Sequence, residues 1–138
     1  METGMTKTYK LAIIASEDPI ITDQIRGIII KHGYSIISAK TALNSILKIL
    51  EKQVDLLIID LDFTQNNSLD LIKIIKKMRP RLPIVVLSED FSLDTVRKFI
   101  ELNVFYFAMK PIQIYEIEKV IEAIMRYQNR HDNVGTLV

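Results

Sequence analysis

The chain has 138 residues, and its 18 Lys and Arg against 17 Asp and Glu give a formal net charge of +1. With 49% hydrophobic and 25% charged residues, it has the composition of one globular domain that can build a core without disulfides. It contains no Cys, which excludes disulfides, thiol catalysis and cysteine-ligated metal sites. The balanced charge predicts no nucleic-acid binding by this domain.

The apolar runs of the chain are short. The run at residues 56–59 is far below the roughly 20 residues that span a bilayer, so we expect no membrane contact. The first ten residues lack the apolar core and cleavage site of a secretory signal. These features predict a cytoplasmic protein.

Five short, β-branched apolar runs alternate with longer amphipathic segments. The runs cover residues 10–15, 34–39, 55–59, 83–87 and 104–108. Each run is nearly continuously apolar, which is typical of a strand covered on both faces in a parallel sheet.

Between the runs, apolar residues recur at helical spacing and mark five helix faces. In chain order these residues are Ile21, Ile25, Ile28 and Ile29; Ile46, Leu47, Ile49 and Leu50; Leu71, Ile72, Ile74 and Ile75; Val96, Phe99 and Ile100; Ile117, Ile121 and Ile124. Gly33 is predicted to end the first helix. The pattern predicts one α/β domain over residues 10–128, a flavodoxin-like (βα)5 fold with a doubly wound, five-stranded parallel sheet. The head, residues 1–9, and the tail, residues 129–138, lack periodicity, and we expect both to be flexible.

Polar side chains follow four of the five predicted strands. They are Ser16, Glu17 and Asp18 after the first; Asp60 and Asp62 after the third; Ser88, Glu89 and Asp90 after the fourth; and Lys110 and Pro111 after the fifth. Because sites in such folds lie beyond the carboxyl ends of the strands, we expect these groups to converge. Neither His32 nor His131 is predicted to be a ligand.

The converging acids require a positive neighbour. Two carboxylates about 4 Å apart repel by ~4 kcal/mol at an effective dielectric constant of about 20. Either Lys110 or an oxygen-bound cation such as Mg²⁺ can supply the charge. With a cation bound, Asp60 can act as a nucleophile toward a phosphoryl group, and Ser88 and Lys110 suit the phosphoryl oxygens.

The order of Asp60, Ser88 and Lys110-Pro111, each at the end of its own strand, resembles the CheY-like receiver domain of two-component response regulators over residues 10–125. The resemblance implies that Asp60 is the phospho-acceptor and that Ser88 and Lys110 bind the phosphate. It also implies that Ser88 and Phe107 form a conformational switch and that the bond before Pro111 is cis.

The same resemblance implies a Mg²⁺ site made by Glu17, Asp60 and the backbone carbonyl of Asp62. Asp62 and Asp90 occupy positions that tune dephosphorylation in the family. The family normally has two adjacent acids after the first strand, and here Ser16 replaces one of them, leaving only a weak, water-mediated contact with the metal. Mg²⁺ affinity is therefore expected to be low. Thr64 and Ser68 also stand where the family often has Pro and Gly.

A receiver of this kind is a phospho-acceptor that catalyses its own phosphoryl transfer and dephosphorylation, not a conventional enzyme. The implied phosphoryl donor is a sensor histidine kinase or a phosphotransfer protein. The implied output is a partner or homodimer contact through the fourth helix, fifth strand and fifth helix, where we predict an apolar contact by Phe105, Tyr115 or Tyr127.

Two other functions stay open. The chain could be a phosphorylation-independent pseudo-receiver that acts as a protein-interaction module, which the loss of the acid at Ser16 favours. A flavodoxin-like cofactor binder or small hydrolase is less favoured, because no strand-to-helix loop carries a phosphate-binding Gly.

Overall fold

The computed structural model describes residues 9–63, 68–90 and 92–137, and strands and helices alternate along it. The strands are β1 (Lys10–Ala15), β2 (Tyr34–Ala39), β3 (Leu56–Asp60), β4 (Ile84–Ser88) and β5 (Tyr106–Met109). The α-helices are α1 (Pro19–Lys31), α2 (Ala42–Glu51), α3 (Ser68–Met78), α4 (Leu93–Glu101) and α5 (Ile114–Leu137), and a short 3-10 helix covers Leu61–Phe63. The predicted (βα)5 fold is confirmed. Thr64 and residues 1–8 of the predicted head lie outside the described residues.

All strand pairs are parallel, and the sheet order is β2-β1-β3-β4-β5. The chain moves outward from β1 to β2 on one side and then continues through β3 on the other. This reversal makes the carboxyl ends of β1 and β3 the switch point, where side chains can project into a crevice.

Helices cover both faces of the sheet, as the continuous apolar runs predict. Every residue of β3 and β4 is buried. The buried residues of α1 and α5 pack on one face, and those of α2, α3 and α4 pack on the other. Gly33 follows α1 with a φ of 90°, a left-handed conformation that Gly adopts without strain. No helix within the described ranges has the length and apolar character needed to cross a membrane.

Two expectations about the helices differ from the structure. Four residues assigned to the buried faces are exposed: Leu47 by 44%, Leu50 by 54%, Ile74 by 46% and Ile100 by 61%. Their spacing is helical, but the sheet contacts a narrower stripe of each helix. The last helix, α5, continues past residue 128, the predicted end of the domain, as far as Leu137, and the flexibility expected of the tail, residues 129–138, stays a prediction. Backbone hydrogen bonds propagate a helix one residue at a time, so α5 can continue beyond its apolar stripe.

Tyr34, the first residue of β2, carries a buried hydroxyl with no hydrogen-bond partner among the residues described. Burial, followed by the charge of Asp55, raises the pKa of Tyr34 to about 12. We expect Tyr34→Phe to increase the free energy of unfolding by about 1 kcal/mol at pH 7, because it removes an unpaired buried polar group. Urea denaturation measures this change, and a less stable variant would contradict it.

The same variant tests the pH dependence of stability. The tyrosine ionises near its ordinary pKa of 10.0 in the unfolded chain but near 12 in the folded one. The unfolded state therefore loses its proton first, and wild-type stability falls as the pH rises through this interval. Tyr34→Phe should show a smaller decline over the same interval.

Candidate functional site

The strand register places the predicted site residues along one edge of the sheet. Ala15 pairs with Ile59, Asp60 with Leu87 and Ser88 with Met109, so the residues that end or follow these strands are neighbours. The backbone N–H of Lys110 donates to the carbonyl of Ser88 at 3.0 Å. Side chains that are far apart in the sequence are thereby held at the carboxyl ends of β1, β3, β4 and β5.

Asp60 ends the central strand and is only 3% exposed. Its Oδ1 accepts hydrogen bonds from Lys110 Nζ at 2.6 Å and from the backbone N–H of Asp62 at 3.0 Å. Its Oδ2 accepts a hydrogen bond from Ser16 Oγ at 2.9 Å. Both carboxylate oxygens are therefore held by donors, which compensates for the loss of water around a buried charge.

Lys110 supplies the positive charge that the acidic edge requires. Its Nζ donates to Asp60 and also to Asp62 Oδ2, at 2.6 Å in each case. Burial works against the ammonium form, but the hydrogen bonds and charges of the two acids outweigh it and raise the pKa of Lys110 above its ordinary value. Lys110 is consequently a cation at neutral pH. The peptide bond between Lys110 and Pro111 is cis.

A pocket of about 370 Å³ opens at this edge of the sheet. Its lining residues are Glu17, Asp18, Asp60, Asp62, Glu89 and Lys110. Five carboxylates around a single ammonium make the pocket strongly negative. Such a pocket suits a hard cation with oxygen ligands.

Two of the lining acids, Asp18 and Glu89, had no assigned role. Asp18 also caps α1, because its Oδ1 accepts hydrogen bonds from the backbone N–H groups of Ile20 and Ile21. Glu89 directly follows β4 and Asp18 lies three residues after β1, so their position near strand ends was the signal for a role in the pocket. A larger cavity of about 460 Å³ lies at the opposite edge of the sheet, lined by residues such as Val54 and Leu82, so volume alone would select the wrong end.

Ser88 is buried at the end of β4, and its hydroxyl is engaged by the loop that follows. Its Oγ accepts the backbone N–H of Asp90 at 2.9 Å and donates to the Asp90 carbonyl at 3.3 Å. Phe107 is half-buried on β5, and its ring centroid lies 5.8 Å from that of Phe99 on α4. Ser88 is therefore bonded to the loop that leads to α4, and Phe107 packs against α4 itself.

The Asp90 side chain organises the start of α4. Its Oδ1 accepts the backbone N–H of Ser92 at 2.9 Å, and its Oδ2 accepts the hydroxyl of Thr95 at 3.0 Å. These two hydrogen bonds lower the pKa of Asp90, the bond from Ser92 contributing most. A role for Asp90 in dephosphorylation stays a prediction.

The face formed by α4, β5 and α5 has a mixed character. Tyr115 is 71% exposed there. The rings of Phe105 and Tyr127 pack edge to face with their centroids 5.8 Å apart, and Phe105 also contacts the core. The hydroxyl of Tyr106 forms a hydrogen bond with Glu116. Of the three residues predicted to make an apolar contact, Tyr115 is the most accessible, and the contact itself stays a prediction.

Comparison with known proteins points to the family that the residues of the site resemble. The model of the response regulator receiver domain matches residues 12–122. The DNA-binding transcriptional regulator NtrC of Azospirillum brasilense is 31% identical over 110 residues, which cover 80% of this chain and 23% of NtrC. The nitrogen assimilation regulatory protein NtrX of Azorhizobium caulinodans is 26% identical over 112 residues, covering 80% of this chain and 25% of NtrX. The chain thus spans about a quarter of the length of these curated relatives.

Solved structures show the same fold. A CheY-like receiver domain protein from Methanospirillum hungatei JF-1 has a TM-score of 0.78 and 22% identity, covering 89% of this chain and 99% of its own. The signal receiver domain of an HD domain-containing protein from Pseudomonas fluorescens Pf-5 has a TM-score of 0.81 and 16% identity. This match covers 96% of the present chain and 98% of the Pseudomonas chain. Together with the family match over most of its length, the acidic edge described above shows that this chain belongs to the response regulator receiver domains of two-component systems.

Proposed function

We propose that the protein stores a signal by accepting a phosphoryl group on Asp60. The donor is a phosphohistidine of a sensor histidine kinase or of a phosphotransfer protein in the cytoplasm. A carboxylate oxygen of Asp60 forms a bond to phosphorus as the phosphorus–nitrogen bond of the donor breaks, and the histidine ring retains the electron pair and takes up a proton. One observation supports the proposal. The Asp60 carboxylate lines an acidic pocket at the end of the central strand, and its Oδ1 lies 2.6 Å from Lys110 Nζ.

The donor set of the pocket fits Mg²⁺, which prefers oxygen ligands and binds through one or two carboxylates. Glu17, Asp60 and the backbone carbonyl of Asp62 would hold it, with a weaker contact from Ser16 through water. When bound, Mg²⁺ supplies positive charge that offsets the repulsion between the carboxylates and the incoming phosphoryl oxygens.

The remaining residues of the site hold the phosphoryl group and transmit its presence. Lys110 binds a phosphoryl oxygen as a point charge after leaving the carboxylate of Asp60. Ser88 exchanges its hydrogen bonds with Asp90 for one with the phosphoryl group, and Phe107 follows it inward. The resulting change in α4, β5 and α5 alters the surface offered to an output partner or a second copy.

Asp62 and Asp90 control how fast the phosphoryl group is removed from Asp60 by water. The Asp62 side chain is 43% exposed and already contacts Lys110, so it stands where it can affect an attacking water. Asp90 acts through the loop between Ser88 and α4, since its own carboxylate is bonded to Ser92 and Thr95.

One observation favours the alternative of a pseudo-receiver. Ser16 stands where the family normally has an acid, so the pocket has one carboxylate fewer. The Ser16 hydroxyl instead donates a hydrogen bond to Asp60 at 2.9 Å. A carboxylate satisfied by Ser16, Asp62 and Lys110 is stable without a metal ion. In that case the domain would act only through its surface.

Phosphorylation is tested by incubating the full chain with acetyl phosphate and Mg²⁺, and then with a phosphorylated histidine kinase, and measuring intact mass. We expect one added phosphoryl group in the wild type and none in Asp60→Asn. Glu89→Gln is the matched control, because it removes an exposed acid of the same pocket and should keep the modification. A wild-type chain left unmodified by both donors would support the pseudo-receiver instead.

A further inference from the structure

A second group of metal-ligating side chains lies between α1 and α5. His32 caps the carboxyl end of α1, and Glu118 and Glu122 are one turn apart on α5. One ligand atom of each residue lies within 4.8 Å of the others. This group, which we call the His32 cluster, is about 20 Å along α1 from Asp18 in the acidic pocket, at a rise of about 1.5 Å per residue.

The imidazole of His32 lacks the partner that a buried ring nitrogen normally has. The His32 side chain is only 16% exposed, and its Nε2 is buried with no hydrogen bond to any part of the chain that the structure describes. Glu118 Oε1 lies 3.8 Å from this nitrogen, which is beyond hydrogen-bond distance. A buried polar atom without a partner is costly, so a ligand at this position would satisfy it.

We propose that the His32 cluster binds a divalent transition-metal cation of the Zn²⁺ class, which joins the end of α1 to α5. One imidazole and two carboxylates are a donor set that Zn²⁺ uses, with water completing a four-coordinate shell. The imidazole favours Zn²⁺ over Mg²⁺, which selects oxygen ligands. The ligand atoms lie up to 4.8 Å from one another, and they must move closer together before each can form a bond of about 2.0–2.2 Å to one Zn²⁺. The flexible side chains of the two glutamates can make this movement.

Two lysines occupy part of the site. Lys31 Nζ lies 2.9 Å from Glu118 Oε1, and Lys119 Nζ lies 3.8 Å from Glu122 Oε1. The Lys31 side chain is 67% exposed, so its contact with Glu118 is weak and can be displaced at little cost. Lys31 therefore competes with the metal, and its removal should strengthen metal binding.

Calorimetric titration of the full chain with ZnCl₂, in excess MgCl₂ that occupies the acidic pocket, tests this site. We expect one Zn²⁺ per chain, and we expect His32→Gln or Glu122→Gln to weaken binding by more than the roughly 10–100-fold that follows loss of an outer-shell partner. Lys31→Gln should tighten binding several-fold, and this exposed substitution keeps the fold. Absorption spectra with Co²⁺ in place of Zn²⁺ should show intense visible bands in the wild type that are lost in His32→Gln.

Two controls separate the His32 cluster from other sources of binding. Asp60→Asn removes the acceptor of the acidic pocket, and His131→Gln removes the second of the two histidines in the chain. Both variants should bind Zn²⁺ like the wild type. Wild-type binding that survives His32→Gln, that is lost in either control, or that never occurs would overturn the proposal.

Discussion

Replacing Ser16 with Asp should raise the affinity for Mg²⁺ at least about tenfold, or ~1.4 kcal/mol of binding free energy. Ser16 is 5% exposed, and its Oγ lies 2.9 Å from Asp60 Oδ2. Asp at this position places a second carboxylate beside Asp60, where two like charges about 4 Å apart repel by ~4 kcal/mol at an effective dielectric constant of about 20. A divalent cation relieves this repulsion, so part of it appears as tighter binding.

Calorimetric titration of wild type and variant with MgCl₂ measures the change. Ser35→Asp is the matched control, because it adds the same charge at an exposed position on β2 and should leave Mg²⁺ affinity unchanged. The Ser16→Asp variant should also be less stable than the wild type without Mg²⁺ and recover stability as Mg²⁺ is added. Equal affinities in Ser16→Asp and Ser35→Asp would show that Ser16 is not at the metal site.

Replacing Lys110 with Met should destabilise the fold by about 2–3 kcal/mol, because it leaves the carboxylate of Asp60 buried without its cation. The Lys110 side chain is 12% exposed and the Asp60 side chain 4%, so little water can replace the ammonium. The loss of stability stays below the roughly 3–5 kcal/mol that follows when a buried charge loses its partner, because Ser16 and the Asp62 N–H still donate hydrogen bonds to Asp60.

Urea denaturation at pH 7 measures this effect. The raised pKa of Lys110 means that its stabilisation is fully present below the ordinary lysine pKa of 10.5 and is lost only as the pH rises through the higher folded value. Lys31→Met is the control: Lys31 forms an ion pair with Glu118 at 2.9 Å, but the Lys31 side chain is exposed, so its loss should destabilise the fold much less than Lys110→Met does. Asp60→Asn in the Lys110→Met background should restore much of the lost stability. A Lys110→Met variant as stable as Lys31→Met would contradict the explanation.

The strands were the most predictable part of the fold. The runs at residues 10–15 and 34–39 coincide with β1 and β2, and the third and fourth strands are each displaced by one residue, to Leu56–Asp60 and Ile84–Ser88. A strand covered on both faces is mostly apolar, so its limits are visible in the sequence. The fifth run begins two residues before β5 (Tyr106–Met109), because Val104 and Phe105 are apolar but precede the strand.

The helix faces were less predictable. Leu50 and Ile100 have helical spacing but are exposed, while Ile49 and Phe99 beside them are buried. Periodicity identifies an apolar side of a helix, but the angle at which the helix meets the sheet decides which of those residues are covered. The extension of α5 through the tail likewise had no apolar signal.

The chemistry of the acidic edge was visible in part. The positions of Asp60 and Lys110 at the ends of strands predicted that they converge, and Nζ and Oδ1 lie 2.6 Å apart. The second bond of Lys110, to Asp62, and the donation from Ser16 to Asp60 were not predicted. Each depends on a rotamer and on a path of backbone that residue order does not specify.

By itself the sequence determined the fold class, the number and order of the strands, the edge of the sheet that carries the site and the residue types available there. These properties follow from local patterns of burial and from the rule that parallel strands end at one edge. Only the tertiary structure decided which oxygen each donor meets and which distant side chains form a second group, as His32 does with Glu118. Such contacts are gained or lost when the distance between two residues changes by a few tenths of an ångström. The packing of whole helices against the sheet sets these distances, and residue order alone does not specify it.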